Sequence, residues 1–135
     1  MKVFFDEDVP RKLARSLPQY DIHTVVGMGW GGIENGALLE LIERKGFDVF
    51  ITGDKNMEKQ QRLEGRSFAV LVMSSINWPA VKPHIHKIAS ALDEARPGTV
   101  RHHPRGGWLD EWGRLKGGRP LRSDVALKRA WASRG

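Results

Sequence analysis

Asp6, Glu7 and Asp8 follow directly on the apolar run Lys2–Phe5, and Asp54 stands just after a second run, Asp48–Thr52. In an extended backbone Asp6 and Asp8 point one way and Glu7 the other. If Asp54 joins them, three carboxylates share one place. Like charges at that range repel, so such a site requires a cation, protons or a basic partner. Oxygen donors without histidine or cysteine suit Mg²⁺ or Mn²⁺ better than zinc. A dication held by carboxylates activates water and stabilises the negative charge that builds on a phosphodiester. The plainer role for Asp8 or Asp54 is to cap the helix that follows, which aspartate does well. Three acids at one edge favour the chemical role over the cap.

For those carboxylates to meet, the elements carrying them must be neighbours. Lys2–Phe5 reads as a first strand, and Pro10 opens a helix through Ser16. Ile22–Val26 reads as a second strand, followed by the glycine cluster Gly27–Gly32. Asn35 is placed to cap a helix from Gly36 to Lys45, with Leu38, Leu39, Leu41 and Ile42 as its apolar stripe and Gly46 as its stop. Asp48–Thr52 is the third strand, and Asn56–Leu63 a polar helix ended near Gly65. Phe68–Met73 carries no charge, the mark of a strand covered on both faces. Pro79 opens one long helix toward Ala95, with Val81, Ile85, Ile88, Ala89 and Leu92 at helical spacing. Pro97-Gly98 stops it, and Thr99–Arg101 forms a last short strand. This alternation predicts an α/β fold, a mostly parallel sheet with helices on both faces and right-handed crossovers. Ligands of such sheets bind beyond the carboxyl ends of the strands. With the strand order 2-1-3-4-5, Asp6 and Asp54 become near neighbours.

A chain of 135 residues suits one domain, and 40% apolar content argues against disorder throughout. The absence of cysteine removes disulfides, zinc–thiolate sites and thiol nucleophiles together, and it suits a reducing cytoplasm. The start, MKVFFDEDVP, has too short an apolar run for a signal peptide. No segment approaches the roughly 18 apolar residues of a membrane helix. A soluble cytoplasmic protein without membrane contact is therefore expected. The net charge of +6 is uneven: residues 1–96 hold 13 Lys/Arg and 13 Asp/Glu, whereas residues 97–135 hold 9 and 3. Residues 101–135 form a basic extension rich in Trp, Arg and Gly, set apart from a domain of residues 1–100. Trp108, Trp112 and Leu115 lie at helical spacing there, and Leu127, Ala130 and Trp131 form a second patch after Ser123. Such a tail suits a polyanion or an acidic partner, or simply solvates the protein.

The stretches KVFFDEDVPRKLARSL, GWGGIENGALLELIERKGFDVFITGDKNM and FAVLVMSS resemble the PIN-like domain family, relatives of VapC-type toxin ribonucleases. The resemblance covers about residues 1–100, and DEDVP and TGDKN are its most specific parts. It implies a single Rossmann-like, PIN-like fold and a Mg²⁺- or Mn²⁺-dependent endoribonuclease acting on RNA. It also implies the toxin half of a toxin–antitoxin pair, with an antitoxin protein as partner and frequent homodimers. By position Asp6 matches the family's first metal-binding acid, Asp8 its neighbour, and Asp54 the acid after the later strand. In relatives the helix of ENGALLELI commonly carries an acid just before the paired leucines, where this chain has Ala37. Asn35 stands where others place Asp, and Glu40 lies one helical turn further on as a substitute. Ser74 and Asn77, at the end of the fourth strand, are placed to bind a metal-bound water but supply no charge.

Arg11, Lys12 and Arg15 on the first helix, with Lys55 beside Asp54, are candidates to guide a phosphate backbone, or an ordinary solvated face. Gly27–Gly32 satisfies G-x-G-x-x-G but lacks the acid about 20 residues on, so a glycine turn is the better reading. Trp30 within it covers the core more readily than it stacks on a base. Histidines 23, 84, 86, 102 and 103 show no metal spacing and read as surface or helix-packing residues. Three other readings share this arrangement. A receiver-like phosphoacceptor domain would use Asp6, Glu7, Asp54 and Ser74 or Ser75, but needs a lysine where Arg101-His102-His103 stands. A haloacid-dehalogenase-like phosphatase would use Asp6 and Asp8, yet its later lysine and acid pair are missing. A catalytically weakened PIN-like module would bind nucleic acid or a partner through the basic tail.

Overall fold

Short apolar runs separated by amphipathic stretches decide the architecture. The computed structural model describes residues 1–103, and within them five strands form one parallel sheet in the order β2-β1-β3-β4-β5. The strands are β1 (Lys2–Phe5), β2 (Asp21–Thr24), β3 (Val49–Thr52), β4 (Ala69–Met73) and β5 (Val100–His103). The order is the one that brings β1 and β3 side by side, with Phe5 opposite Ile51. β3 and β4 are buried at every residue, as central strands covered on both faces must be.

Side chains of alternate residues feed two separate cores. Val3, Phe5, Val49, Ile51, Leu71 and Met73 pack on one face against Leu13 of α1 (Arg11–Arg15) and Ile88 and Leu92 of α6 (Ile85–Asp93). Phe4, Phe50, Val70 and Val72 pack on the other against Leu38, Leu39 and Ile42 of α3 (Asn35–Arg44) and Met57 of α4 (Lys55–Gln60). Of the predicted stripe only Leu41 is less than fully buried. Trp30 lies 5.3 Å from the Phe4 ring, so it covers the core.

Four local features depart from the sequence reading. The second strand stops at Thr24 because its hydroxyl accepts the Gly27 N–H and caps a short helix α2 (Val25–Met28). The β-branched pair Val25-Val26 is thereby drawn into a helical turn. α3 starts at Asn35 with Glu34 at the cap position and no side-chain cap bond, so Asn35 is not its cap. The long helix from Pro79 is broken into α5 (Trp78–Val81), a 3-10 turn over Lys82–His84, and α6. Pro83 has no N–H to give and its ring crowds the carbonyl one turn back. The last strand runs to His103, so the sheet extends past residue 100. Gly46, with φ of 70°, ends α3 in the left-handed region that favours glycine. No helix among the described residues is long and apolar enough to cross a membrane.

Candidate functional site

The carboxyl end of β3 and the segment leaving β1 meet because the two strands are paired. The ladder continues one step beyond the strand, with the Asp6 N–H donating to the Ile51 carbonyl at 2.9 Å. That step sets Asp6 beside Thr52, whose hydroxyl donates to Asp6 Oδ2 at 2.7 Å. Thr52 is fully buried and accepts the Asp54 N–H at 3.0 Å with the same oxygen. One hydroxyl therefore ties Asp6 to the backbone of Asp54. The chain turns after Asp6, as the Val9 N–H bonds the Asp6 carbonyl at 3.1 Å. That turn, rather than strand alternation, aims Asp8 at β3, where Asp8 Oδ1 accepts the Gly53 N–H at 3.2 Å. Glu7 is exposed.

Electrostatics mark Asp6 and Asp8. Burial pushes the Asp6 carboxyl above its ordinary value, opposed by the Thr52 hydroxyl and the Glu7 N–H and supported by repulsion from Glu7 and Asp54. Burial also pushes Asp8 up, joined by repulsion from Asp6 and then Asp54, with the Gly53 N–H opposing. Asp54 uses Oδ1 to accept the Asn56 N–H at 2.9 Å and so caps α4. Asp8 caps nothing: the cap position of α1 is Pro10. The cap and the acid cluster thus coexist at Asp54.

The chemistry of the donors fits a hard dication: carboxylate oxygens, partly buried, mutually repelling, with no histidine or cysteine among them. Among the described residues no three His, Asp or Glu side chains stand arranged as a ready-made ion cage. The fit therefore rests on charge and donor type. None of the other expected contributors, all of them among the described residues, forms a side-chain hydrogen bond to the three acids. Glu40 and Ala37 are exposed on α3, and neither Glu40 nor Asn35 bonds to the acids. Ser74 gives its N–H to the His103 carbonyl at 2.8 Å, and the Asn77 N–H donates to Ser75 Oγ at 3.2 Å. Arg11, Lys12, Arg15 and Lys55 are exposed and form no ion pair among the described residues.

Sequence reasoning passed over Thr52, Gly53 and Ile76. A hydroxyl at the last buried position of a strand, followed by Gly-Asp, was the available signal for the first two. Gly53 leaves room for its neighbours: a Cβ there would overlap Ile76 Cγ2, so Ile76 would have to shift, and would sit 3.1 Å from Asp8 Oδ2. Nothing in the sequence places Ile76 at the acids, since it comes from a different loop. Of the two readings of His103, the surface one is corrected, because β5 carries it into the interior at 6% exposure, where its ring packs against His84 of the 3-10 turn at 5.2 Å. Burial holds its imidazole down at about 3, with repulsion from His84, Lys87 and Arg101 added, so it is neutral at physiological pH. A recess of about 220 Å³ lined by Glu58, Gln61, Arg62, Leu63, Glu64 and Val100 contains none of the three aspartates. The tryptophan and leucine patches of the tail, and Ser123, lie outside the described residues. Set against protein-family models, curated proteins and solved structures, the chain matches none of them.

Proposed function

We propose that the chain is a metal-dependent phosphodiesterase of PIN-like type, an endoribonuclease with Asp6, Asp8 and Asp54 as its acidic site. The observation that carries this reading is the wiring of the Thr52-Gly53-Asp54 segment to Asp6 and Asp8 by one hydrogen bond each, with a third, from the Asp54 N–H to the Thr52 hydroxyl, holding the segment itself. Fixing repelling carboxylates in this way lowers stability unless their charge is put to use. Asp6, Asp8 and Asp54 would hold Mg²⁺ or Mn²⁺, which when bound supplies charge stabilisation at the phosphate and a more acidic water. Thr52 and the Gly53 N–H hold Asp6 and Asp8 in place, so no reorganisation is needed when substrate arrives. A carboxyl raised by burial, as Asp6 and Asp8 both are, also takes and returns a proton nearer neutral pH than an ordinary one. Exposed Arg11, Lys12, Arg15 and Lys55 supply cations for a phosphate backbone. The toxin role, an antitoxin partner and a homodimer belong to the same proposal through the family resemblance.

A second reading, a PIN-like module that binds without turnover, draws on Ala37 standing where relatives carry an acid and on Glu40 being exposed. One experiment separates the two. Mn²⁺ is titrated into wild type and the Asp6→Asn/Asp54→Asn double variant while cleavage of a mixed single-stranded RNA pool is followed. Manganese-dependent cleavage lost in the variant, with circular dichroism unchanged, is the expected outcome. A wild type that neither binds metal saturably nor cleaves overturns the nuclease reading.

A further inference from the structure

Among the described residues three large apolar side chains are strongly exposed: Met1, Val26 and Ile76. Ile76 is 40% exposed and belongs to neither core cluster, so core packing does not account for it. It sits in the connection from β4 to α5, and that connection is braced. Ser74 is tied to β5 by its N–H, the Asn77 N–H bonds Ser75 Oγ at 3.2 Å, and the Asn77 carbonyl accepts Ala80 and Val81 N–H at 2.9 and 3.0 Å. Ile76 is the residue between the two ends of the Ser75–Asn77 bond, which restrains the backbone that carries its side chain.

That side chain lies over Gly53. A Cβ on Gly53 would meet Ile76 Cγ2 from one side and Asp8 Oδ2 from another, so the isoleucine and the carboxylate stand side by side above the same backbone. An apolar branched group beside partly buried carboxylates offers no ligand atom to a metal and no hydrogen bond to a phosphate. It does suit the part of a nucleotide that is neither: the face of a base. We propose that Ile76, resting on the glycine step of Gly53, is the residue of the site that contacts the nucleobase. This rests on the phosphodiesterase reading above. With a phosphate at Asp6, Asp8 and Asp54, the adjoining nucleoside is the group that reaches Ile76. In a duplex the faces of that base are covered by its stacked neighbours, whereas an unpaired base offers a face to an apolar platform.

The test uses a fluorescently labelled single-stranded RNA, an abasic ribose–phosphate strand of equal length and charge, and the same RNA annealed to its complement. Binding is followed by anisotropy in Ca²⁺ for wild type, Ile76→Ala and Ile76→Trp. Wild type is expected to prefer the base-bearing single strand to both controls. Ile76→Ala is expected to weaken binding of that strand about twofold to fivefold, less than the loss of an aromatic base platform costs, and to bind the abasic strand unchanged. Ile76→Trp should keep the preference. Equal binding of base-bearing and abasic strands by wild type, a preference for the duplex, or a preference undiminished in Ile76→Ala overturns the inference and leaves manganese-dependent cleavage standing. Failure of wild type to bind any strand or to cleave RNA overturns both.

Discussion

Thr52 has no charge and no exposed surface, yet its hydroxyl joins Asp6 to the backbone of Asp54 and so decides the spacing of the acids. Asp8 shows what that spacing costs. Its carboxyl is raised by burial and by Asp6, so the folded state holds a proton in a pH range where the unfolded chain has lost it. Stability then falls as pH rises. The contribution is fully present below the ordinary carboxylate value near 3.8 and is lost as pH climbs through the raised one. Asp8→Asn, which keeps an oxygen for the Gly53 N–H, should therefore melt higher than wild type at pH 7. The gap should close as pH falls below about 4. Saturating Mn²⁺ should raise the wild-type midpoint more than that of the variant. Thermal melts at several pH values, with and without metal, check this; an Asp8→Asn variant less stable than wild type at neutral pH would count against a strained acid cluster. The acids themselves were legible in the chain by type and position. The hydroxyl and the glycine that hold them were not, because their roles depend on a neighbour dozens of residues away.

At the level of elements, α4 and the site share Asp54. Its side chain caps the helix through the Asn56 N–H, and its backbone N–H is held by Thr52. These duties separate under mutation. Asp54→Ala loses the cap and should destabilise the protein by about 0.5–2 kcal/mol. Asp54→Asn keeps a capping oxygen and should fold with nearly wild-type stability while losing metal-dependent cleavage. Urea unfolding of both variants beside the cleavage assay resolves the two roles. Equal cleavage by Asp54→Asn and wild type would leave Asp54 as a cap only. Helix α3 shows the limits of local reading in another way. Its core stripe Leu38, Leu39 and Ile42 followed from periodicity, but its start did not, since Glu34 rather than Asn35 occupies the cap position. The break at Pro83 was readable from proline chemistry, though the apolar spacing on either side of it argues for one continuous helix.

Over the whole molecule, charge and fold are divided. Residues 104–135 carry eight Lys/Arg and three Asp/Glu, five of the six net positive charges. The described domain is close to neutral, and its exposed cations are spread over several elements, Arg11, Lys12 and Arg15 on α1 and Lys55 beside Asp54 among them. If the tail binds the phosphates, deleting residues 104–135 should flatten the dependence of single-strand RNA affinity on salt. The slope of log affinity against log salt should shrink by roughly 0.7 for each phosphate that is no longer neutralised. An unchanged slope would assign phosphate binding to the described domain instead, where Arg11, Lys12, Arg15 and Lys55 are the first cations to substitute. Binding curves at several salt concentrations for full-length and shortened protein decide between the two.

The sequence by itself determined the alternation of strand and helix, the uncharged central strand Ala69–Met73 and the position of each aspartate after a strand, because hydrophobic periodicity and proline and glycine placement are local properties. Strand order was open until β1 and β3 paired, since parallel neighbours are joined only by long crossovers. Tertiary structure alone decided that Thr52 bonds Asp6, that a side chain on Gly53 would displace Ile76, that Ile76 stands beside Asp8 and that His103 is buried and neutral. Each of these is a relation between loops or strands far apart in the chain, and only the packing of the sheet brings them within reach of one another.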